Sequence, residues 1–310
     1  MRKAGGRLHS ARVTLVKRLL SLLKRSWKLI TTLFGVLVCL LFASFWELGT
    51  LLCAPAPGVV GNLPPTIRGE NVQFQSGSGS KLRGWFLPGT ARHGAVVLMH
   101  GVRGDRNHML KRAVFLNKAG YSVLLFDFQA HGESSGKHIT FGHLESEDAK
   151  AAVAFVRARL PAVRIAVLGS SLGGAAAVLA SPPLKVDGMI LEMVYPSIEQ
   201  AAADRLAIRF GEPGRLFAPL LTCQLRPRIG VDAGSLRPID HVSHIEVPKL
   251  IIGGSKDQHT TLAETRALFD AAADPKELWI VEGAAHTDMY MEAKREYEER
   301  VLAFLGTVLH

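Results

Sequence analysis

The amino-acid sequence predicts an α/β fold with a mostly parallel, doubly wound sheet, preceded by one transmembrane helix. The first observation is a series of continuous apolar runs, such as "GAVVLMH" (94–100) and "YSVLLFD" (121–127), which are typical of strands buried on both faces. The second is that segments with helical spacing alternate with these runs, as in βαβ units. The third is an uncharged run, "LITTLFGVLVCLLFASFW" (29–46), that precedes all of them.

The basic excess of the chain is confined to its first residues. The full sequence carries 37 Lys and Arg against 27 Asp and Glu, a formal net charge of +10. Nine of these basic residues, and no acidic residue, fall within residues 1–28. The rest of the chain is therefore nearly neutral, which argues against a nucleic-acid-binding surface.

The apolar run after this basic block is long enough to cross a bilayer. With the residues up to Leu52 it supplies the about 20 apolar residues that a spanning helix needs. We therefore predict a basic cytoplasmic tail (1–28) and a single-pass transmembrane anchor (29–54). Because positively charged flanks stay cytoplasmic, the rest of the chain is expected on the opposite side, which is the periplasm in a double-membrane bacterium.

A cleaved signal peptide is the alternative for the same segment. Against it, the basic region and the apolar run are both longer than in usual signal peptides. The candidate cleavage motif at 54–56 is also followed by Pro57, which makes a poor junction. We therefore favour a retained anchor and leave cleavage open.

The remaining sequence is predicted to hold a linker and one large domain. Residues 55–70 are rich in Pro and Gly and are predicted to be the linker, and 71–310 the domain. In the domain, "NVQF" and "LRGWFLP" are predicted to pair at one edge of the sheet. Further strands are predicted at 94–100, 121–127, 164–169, 187–193, 248–254 and 277–283, and helices at 107–118, 145–160, 172–180, 262–272 and 292–309. Residues 195–247 interrupt the rhythm and are predicted to form one regular helix plus a small cap.

Two adjacent serines lie in the stretch "VLGSSLGGAAAV" (167–178), and their register separates them. The motif G-x-S-x-G places a nucleophile on a tight turn between strand and helix. Centred on Ser171 the motif finds Gly169 and Gly173, whereas centred on Ser170 it finds leucines. A strand is predicted just before and a helix just after, so Ser171 is the candidate nucleophile.

With this motif the sequence resembles the α/β-hydrolase superfamily over about 240 residues. The stretches that carry the resemblance are "HGVRG" (100–104), "DFQAHGESSG" (127–136), "GSSLGG" (169–174), "GSKD" (254–257) and "GAAHTD" (283–288). Within the superfamily it is most similar to the serine peptidase, lysophospholipase and acyl-thioesterase-like branch, whose members often carry an N-terminal membrane anchor. The resemblance implies a sheet of the α/β-hydrolase type with a small cap.

The resemblance also implies the partners of Ser171. A serine hydroxyl needs a base, and the base needs an orienting acid. His286 follows a predicted strand in a loop of small residues, where the superfamily has its histidine, and Asp257 follows the preceding strand. Asp288 is interpreted as a helix cap and not as the acid. The backbone N–H groups of Leu172 and Val102 are the expected oxyanion donors.

Three other charged residues, Arg103, Arg106 and Glu192, have two interpretations each. Arg103 and Arg106 border the proposed oxyanion loop and either hold a substrate anion or are solvated loop charges. Glu192 either grips the free amine of a peptide substrate or braces the fold. His131 is interpreted as a packing residue. The cysteines Cys39, Cys53 and Cys223 do not form a disulfide framework and are interpreted as inert.

The sequence therefore predicts a membrane-anchored serine hydrolase that cleaves carboxylic ester or thioester bonds of lipid-like acyl substrates through an acyl-enzyme. The anchor and the apolar cap segment "LFAPLLTC" (216–223) favour such substrates. A serine peptidase of the same fold and a catalytically inactive binding scaffold are the alternatives. No metal or organic cofactor is expected.

Overall fold

The computed structural model describes residues 4–90 and 93–309. Residues 1–3 of the predicted tail and residues 91, 92 and 310 of the predicted domain lie outside the described part. The chain divides into two compact units, one ending at Gly49 and one beginning at Thr50. The predicted division into tail, anchor, linker and hydrolase domain stays a prediction.

The first unit is helical. A long helix, α1, covers Ala4–Cys53, and its last turn, from Thr50 on, belongs to the second unit. Within α1, the stretch Lys24–Cys53 contains an 18-residue window with a mean hydropathy of 2.3 and is long and apolar enough to cross a membrane. Length and composition are the properties that identify it, and a signal sequence shares them.

The second unit is built on an eight-stranded sheet, in the order β8-β7-β6-β5-β3-β4-β2-β1. The strands are β1 Glu70–Gln75, β2 Lys81–Leu87, β3 Ala95–Met99, β4 Ser122–Phe126, β5 Ile165–Ser170, β6 Gly188–Glu192, β7 Lys249–Gly254 and β8 Lys276–Val281. Strands β3 to β8 are parallel to one another, while β2 is antiparallel to β4 and β1 is antiparallel to β2. The predicted edge pair and the mostly parallel sheet are both confirmed.

Helices cover both faces of this sheet. They are α2 Leu110–Lys118, α3 His143–Arg159, α4 Leu172–Leu179, α5 Ile198–Phe210, α6 Ala218–Thr222, α7 Leu225–Ile229, α8 Pro238–His241, α9 Leu262–Ala271, α10 Met289–Glu292 and α11 Lys294–Leu309. Buried residues of α3, α4 and α9 form one apolar core, and those of α2 and α11 form the other. The fold is therefore doubly wound, because each face of the sheet has its own layer of helices.

Two segments outside this framework flank the sheet. Residues 195–247 contain α5 to α8 and three short 3-10 turns, which bury residues such as Leu206, Leu225 and Leu236. Residues 55–70 carry no long helix or strand, yet they are held to the unit by backbone pairing of Ala56–Pro57 with His131–Gly132. This pairing ties the start of the segment to the second unit.

Candidate functional site

The turn between β5 and α4 holds Ser171 in a strained backbone. Its φ of 50° and ψ of −109° place it in a region that L-residues rarely adopt. The turn is tight because small residues surround it. A Cβ on Gly173 would lie 2.3 Å from the carbonyl oxygen of Met99, and one on Gly169 would lie 2.4 Å from the amide nitrogen of Gly174. Glycines at the two positions of the motif therefore let the strand and the helix approach closely.

An acid and a histidine meet at the same edge of the sheet. Asp257 follows β7, and its Oδ2 lies 2.7 Å from Nδ1 of His286, which follows β8. The other oxygen, Oδ1, accepts the backbone N–H groups of His259 at 2.7 Å and Thr260 at 2.9 Å. Because the carboxylate accepts from Nδ1–H, the free ring nitrogen of a neutral His286 is Nε2, the one that a general base uses.

Hydrogen bonds tie the serine turn to the acid loop. Ser171 N–H donates to the carbonyl of Glu192 at the end of β6, at 2.8 Å. Met193, the next residue, donates to Ile252 O at 2.8 Å and accepts from Thr260 Oγ1 at 3.2 Å. The carboxyl ends of three adjacent parallel strands, β5, β6 and β7, thus fix the relative positions of the two loops. Among the described residues, the Ser171 hydroxyl and the His286 ring are not hydrogen-bonded to each other; in enzymes without substrate this bond is often long.

The loop after β3 passes beside Ser171. A Cβ on Gly101 would lie 3.7 Å from the Cβ of Ser171, which is van der Waals contact. Two hydrogen bonds of the His100 ring hold the start of this loop. Its Nε2 accepts the N–H of Phe128 at 3.1 Å, and its Nδ1 donates to Gly101 O at 2.7 Å. Burial lowers the pKa of His100 to about 3, so the ring stays neutral and keeps both bonds. Val102, the expected oxyanion donor, follows directly in this loop.

His259 is a site residue that the sequence analysis missed. Its ring centroid lies 5.1 Å from that of His286. Burial lowers the pKa of His259, and the charges of Arg205 and His286 lower it further. The stretch "DQHT" (257–260) carries the signal for His259. Residues that donate N–H groups to the carboxylate of a turn aspartate directly follow that aspartate in sequence.

The two arginines of the oxyanion loop have different environments. Arg106 is buried and forms an ion pair with Asp127 and a second one, at 2.6 Å, with Glu133. Both earlier interpretations of Arg106, substrate contact and solvated charge, are therefore wrong, since the guanidinium is buried and already paired with the carboxylates of Asp127 and Glu133. Arg103 is exposed, and its Nη2 donates to the carbonyl of Leu51.

A second buried cluster explains Glu192. Its carboxylate is fully buried and accepts from Arg112 Nη2 at 2.8 Å and from the hydroxyl of Tyr297. Asp288 accepts from Tyr290 N–H at 3.2 Å as the cap of α10, and it also pairs with Arg112 at 2.7 Å. Glu192 therefore braces the fold, and Asp288 is a helix cap as predicted.

Comparison with known proteins agrees with this architecture. The family model described as serine aminopeptidase, S33, matches residues 90–209. The solved structure of esterase Pf2001 from Pyrococcus furiosus has a TM-score of 0.69 and 25% sequence identity, and the match covers 83% of this chain and 99% of that one. The chain therefore has the α/β-hydrolase fold. The predicted resemblance to this superfamily and the fold that it implies are thus confirmed.

Relatives of this chain occur in several bacteria. An uncharacterized protein of Mycobacterium tuberculosis is 28% identical over 255 residues, which are 81% of this chain and 83% of that protein. The uncharacterized protein YqkD of Bacillus subtilis is 25% identical over 237 residues, which are 75% of this chain and 78% of YqkD. The similarity to each relative therefore extends well beyond the segment that the family model matches.

Proposed function

We propose that this protein is a membrane-anchored serine hydrolase that cleaves carboxylic esters or thioesters with lipid-like acyl groups. In the proposed mechanism Ser171 Oγ attacks the acyl carbon and gives its proton to Nε2 of His286. The imidazolium is stabilised by Asp257, and the oxyanion accepts the N–H groups of Val102 and Leu172. Collapse of the intermediate expels the alcohol or thiol with the proton from His286.

The acyl-enzyme is then resolved by the same groups. His286 takes a proton from water as the water attacks the acyl carbon, and it returns this proton to Ser171 Oγ when the carboxylic acid leaves. Each step moves a proton between atoms of this chain and the substrate. The proposed reaction therefore needs no metal or organic cofactor.

One observation carries this proposal: the 2.7 Å contact between His286 Nδ1 and the buried Oδ2 of Asp257, at the edge of the sheet that also holds Ser171. A histidine oriented in this way by a buried carboxylate is half of a nucleophile-activating relay. The strained turn at Ser171 supplies the other half. A catalytically inactive scaffold would not require this arrangement.

A fluorophosphonate probe tests the serine mechanism. We expect covalent labelling of the wild-type chain and none of Ser171→Ala. The adjacent Ser170→Ala variant is the matched control and should label normally, because Ser170 is outside the motif register. Equal labelling of wild type and Ser171→Ala would reject the proposal, and no labelling of either would favour the scaffold.

A serine peptidase is the second candidate, because the matching family model describes aminopeptidases. The structural similarity to the esterase Pf2001 favours ester substrates for this chain instead. Glu192 was the candidate to bind the free amine of a peptide substrate, and its carboxylate is buried and paired with Arg112. The turnover of medium-chain aryl esters should be compared with that of aminoacyl arylamides. A clear preference for arylamides would make the serine peptidase the first candidate.

We also propose that Lys24–Cys53 contains a retained anchor, with the N terminus cytoplasmic and the domain at 71–310 across the membrane. Its apolar length and the basic residues ahead of it support this topology. The intact mass of the membrane-extracted protein separates an anchor from a cleaved signal peptide. Protection of the domain from protease added to the cytoplasmic side checks the orientation.

A further inference from the structure

Arg103, the residue after the proposed oxyanion donor Val102, occupies a turn position that suits glycine better. The turn is closed by a hydrogen bond from Gly104 N–H to Gly101 O at 3.1 Å. Arg103 is its third residue and has a φ of 58°. This left-handed backbone is favoured by glycine at that position of a type II turn. An arginine there suggests a function for its side chain.

That side chain contacts the end of the long helix. Arg103 Nη2 donates to the carbonyl of Leu51, in the last turn of α1. The last four carbonyls of a helix lack partners within the helix, and a cation beside them also interacts favourably with the helix dipole. The contact is therefore favourable for the helix end as well as for the loop.

The same helix turn is fixed to two other parts of the second unit. Arg228 of α7 donates from Nη1 to Thr50 Oγ1 at 2.8 Å. The carbonyl of Cys53 accepts the N–H of Ile139, in the segment before α3, at 2.9 Å. Thr50–Cys53 is thus held by α7 and by the segment before α3, and it offers Arg103 a fixed acceptor.

The oxyanion loop is fastened at its two ends by its own residues. At the start, His100 donates to Gly101 O at 2.7 Å, and at the end Arg106 N–H donates to Asp127 Oδ1 at 2.7 Å. The peptide between Val102 and Arg103 lies between these points. The bond from Arg103 to Leu51 holds this middle part against a neighbouring element.

We propose that the last turn of α1, Thr50–Cys53, positions the oxyanion loop through Arg103. Arg103 is then a positioning residue that aligns the N–H of Val102 with the developing oxyanion. The proposal rests on the proposed function, because it requires that Val102 stabilise an oxyanion. In this proposal the C-terminal end of the predicted anchor contributes to the geometry of the catalytic site.

The test uses the full-length chain in detergent micelles and a soluble short-chain aryl ester. Because a misplaced donor weakens stabilisation of the transition state and not of the bound ester, Arg103→Ala and Arg103→Gly should lower kcat by about tenfold and leave KM within about twofold. Arg103→Lys should restore most of kcat, since an ammonium group also donates to a carbonyl. Arg226→Ala, which removes an exposed arginine of α7, is the control and should match wild type.

The Arg103→Gly variant decides the outcome. Glycine relieves the left-handed backbone, so its melting temperature should equal or exceed that of wild type while kcat falls. A merely structural role would change the two quantities together. A wild-type kcat in Arg103→Gly would overturn the proposal. Failure of the proposed function is distinguishable, because Ser171→Ala would then keep wild-type turnover.

Discussion

His286 and Asp257 are 29 positions apart in sequence and are joined by a 2.7 Å contact between Nδ1 and Oδ2. The Asp257 side chain is fully buried, while His286 is 19% exposed. The acid is thus shielded from water, and the ring stays accessible to a substrate. This asymmetry suits an acid that orients the ring and a base that reacts.

The acid of the proposed triad can be distinguished from its neighbour by two matched substitutions. Asp257→Asn should lower kcat by about 10³–10⁴-fold, because an amide favours the wrong tautomer of His286. Asp288→Asn should keep kcat within about tenfold, since Asp288 caps α10 and pairs with Arg112. Ester hydrolysis by the two folded variants is the measurement. A larger loss in Asp288→Asn would assign the acid to that residue.

Gly173→Ala should destabilise the catalytic turn. The new Cβ would lie 2.3 Å from the carbonyl oxygen of Met99, so backbone must shift. Overpacking of this kind costs about 1–3 kcal/mol, which exceeds the up to about 1 kcal/mol that alanine gains over glycine in a helix. Thermal melts measure the effect, with Gly58→Ala as control because nothing lies within 4 Å of a Cβ there. An unchanged melting temperature of Gly173→Ala would contradict the tight packing of the turn.

Glu192→Gln should affect stability and spare substrate selection. It removes one charge from a buried ion pair and leaves Arg112 with Asp288 alone, at a cost of about 3 kcal/mol in unfolding free energy. The KM for an aminoacyl arylamide should not rise more than that for an aryl ester. A rise confined to the arylamide would show that Glu192 grips the amine after all.

Because of Asp148, the free energy of unfolding should fall as the pH rises from about 4 to 7. Burial raises its pKa to about 7, although Ser78 Oγ donates to it at 2.6 Å and Gln129 N–H at 2.7 Å. In the unfolded chain this carboxyl releases its proton near pH 3.9, so between the two values only the folded state holds the proton. Unfolding then releases a proton, and stability falls with rising pH until about pH 7.

The Asp148→Asn variant tests this dependence. An amide can accept from Gln129 N–H and donate to Ser78 Oγ, so the contacts survive while the titration disappears. Melting temperatures at pH 5 and pH 8 should therefore differ less in the variant than in wild type. The exposed Asp270→Asn variant should keep the wild-type difference. Equal differences in wild type and Asp148→Asn would show that Asp148 does not titrate in this range.

The sequence by itself determined the order of strands and helices along the chain and the register of the serine motif. Continuous apolar runs specify buried strands, and glycines at 169 and 173 distinguish Ser171 from Ser170, because both signals are local. The predicted helix at 107–118 is in fact a 3-10 turn followed by α2, Leu110–Lys118. Element ends are the part that local patterns predict least well.

Tertiary structure alone decided which polar side chains are free to act. Arg106 and Glu192 had two interpretations each in the sequence, and only the buried partners that the fold brings to them, Asp127 and Arg112, assign them to the framework. The positions of His259 beside His286 and of Leu51 beside Arg103 also come from segments distant in sequence. Residue type and spacing describe what a side chain can do, whereas burial and charge pairing depend on contacts that only the folded chain makes.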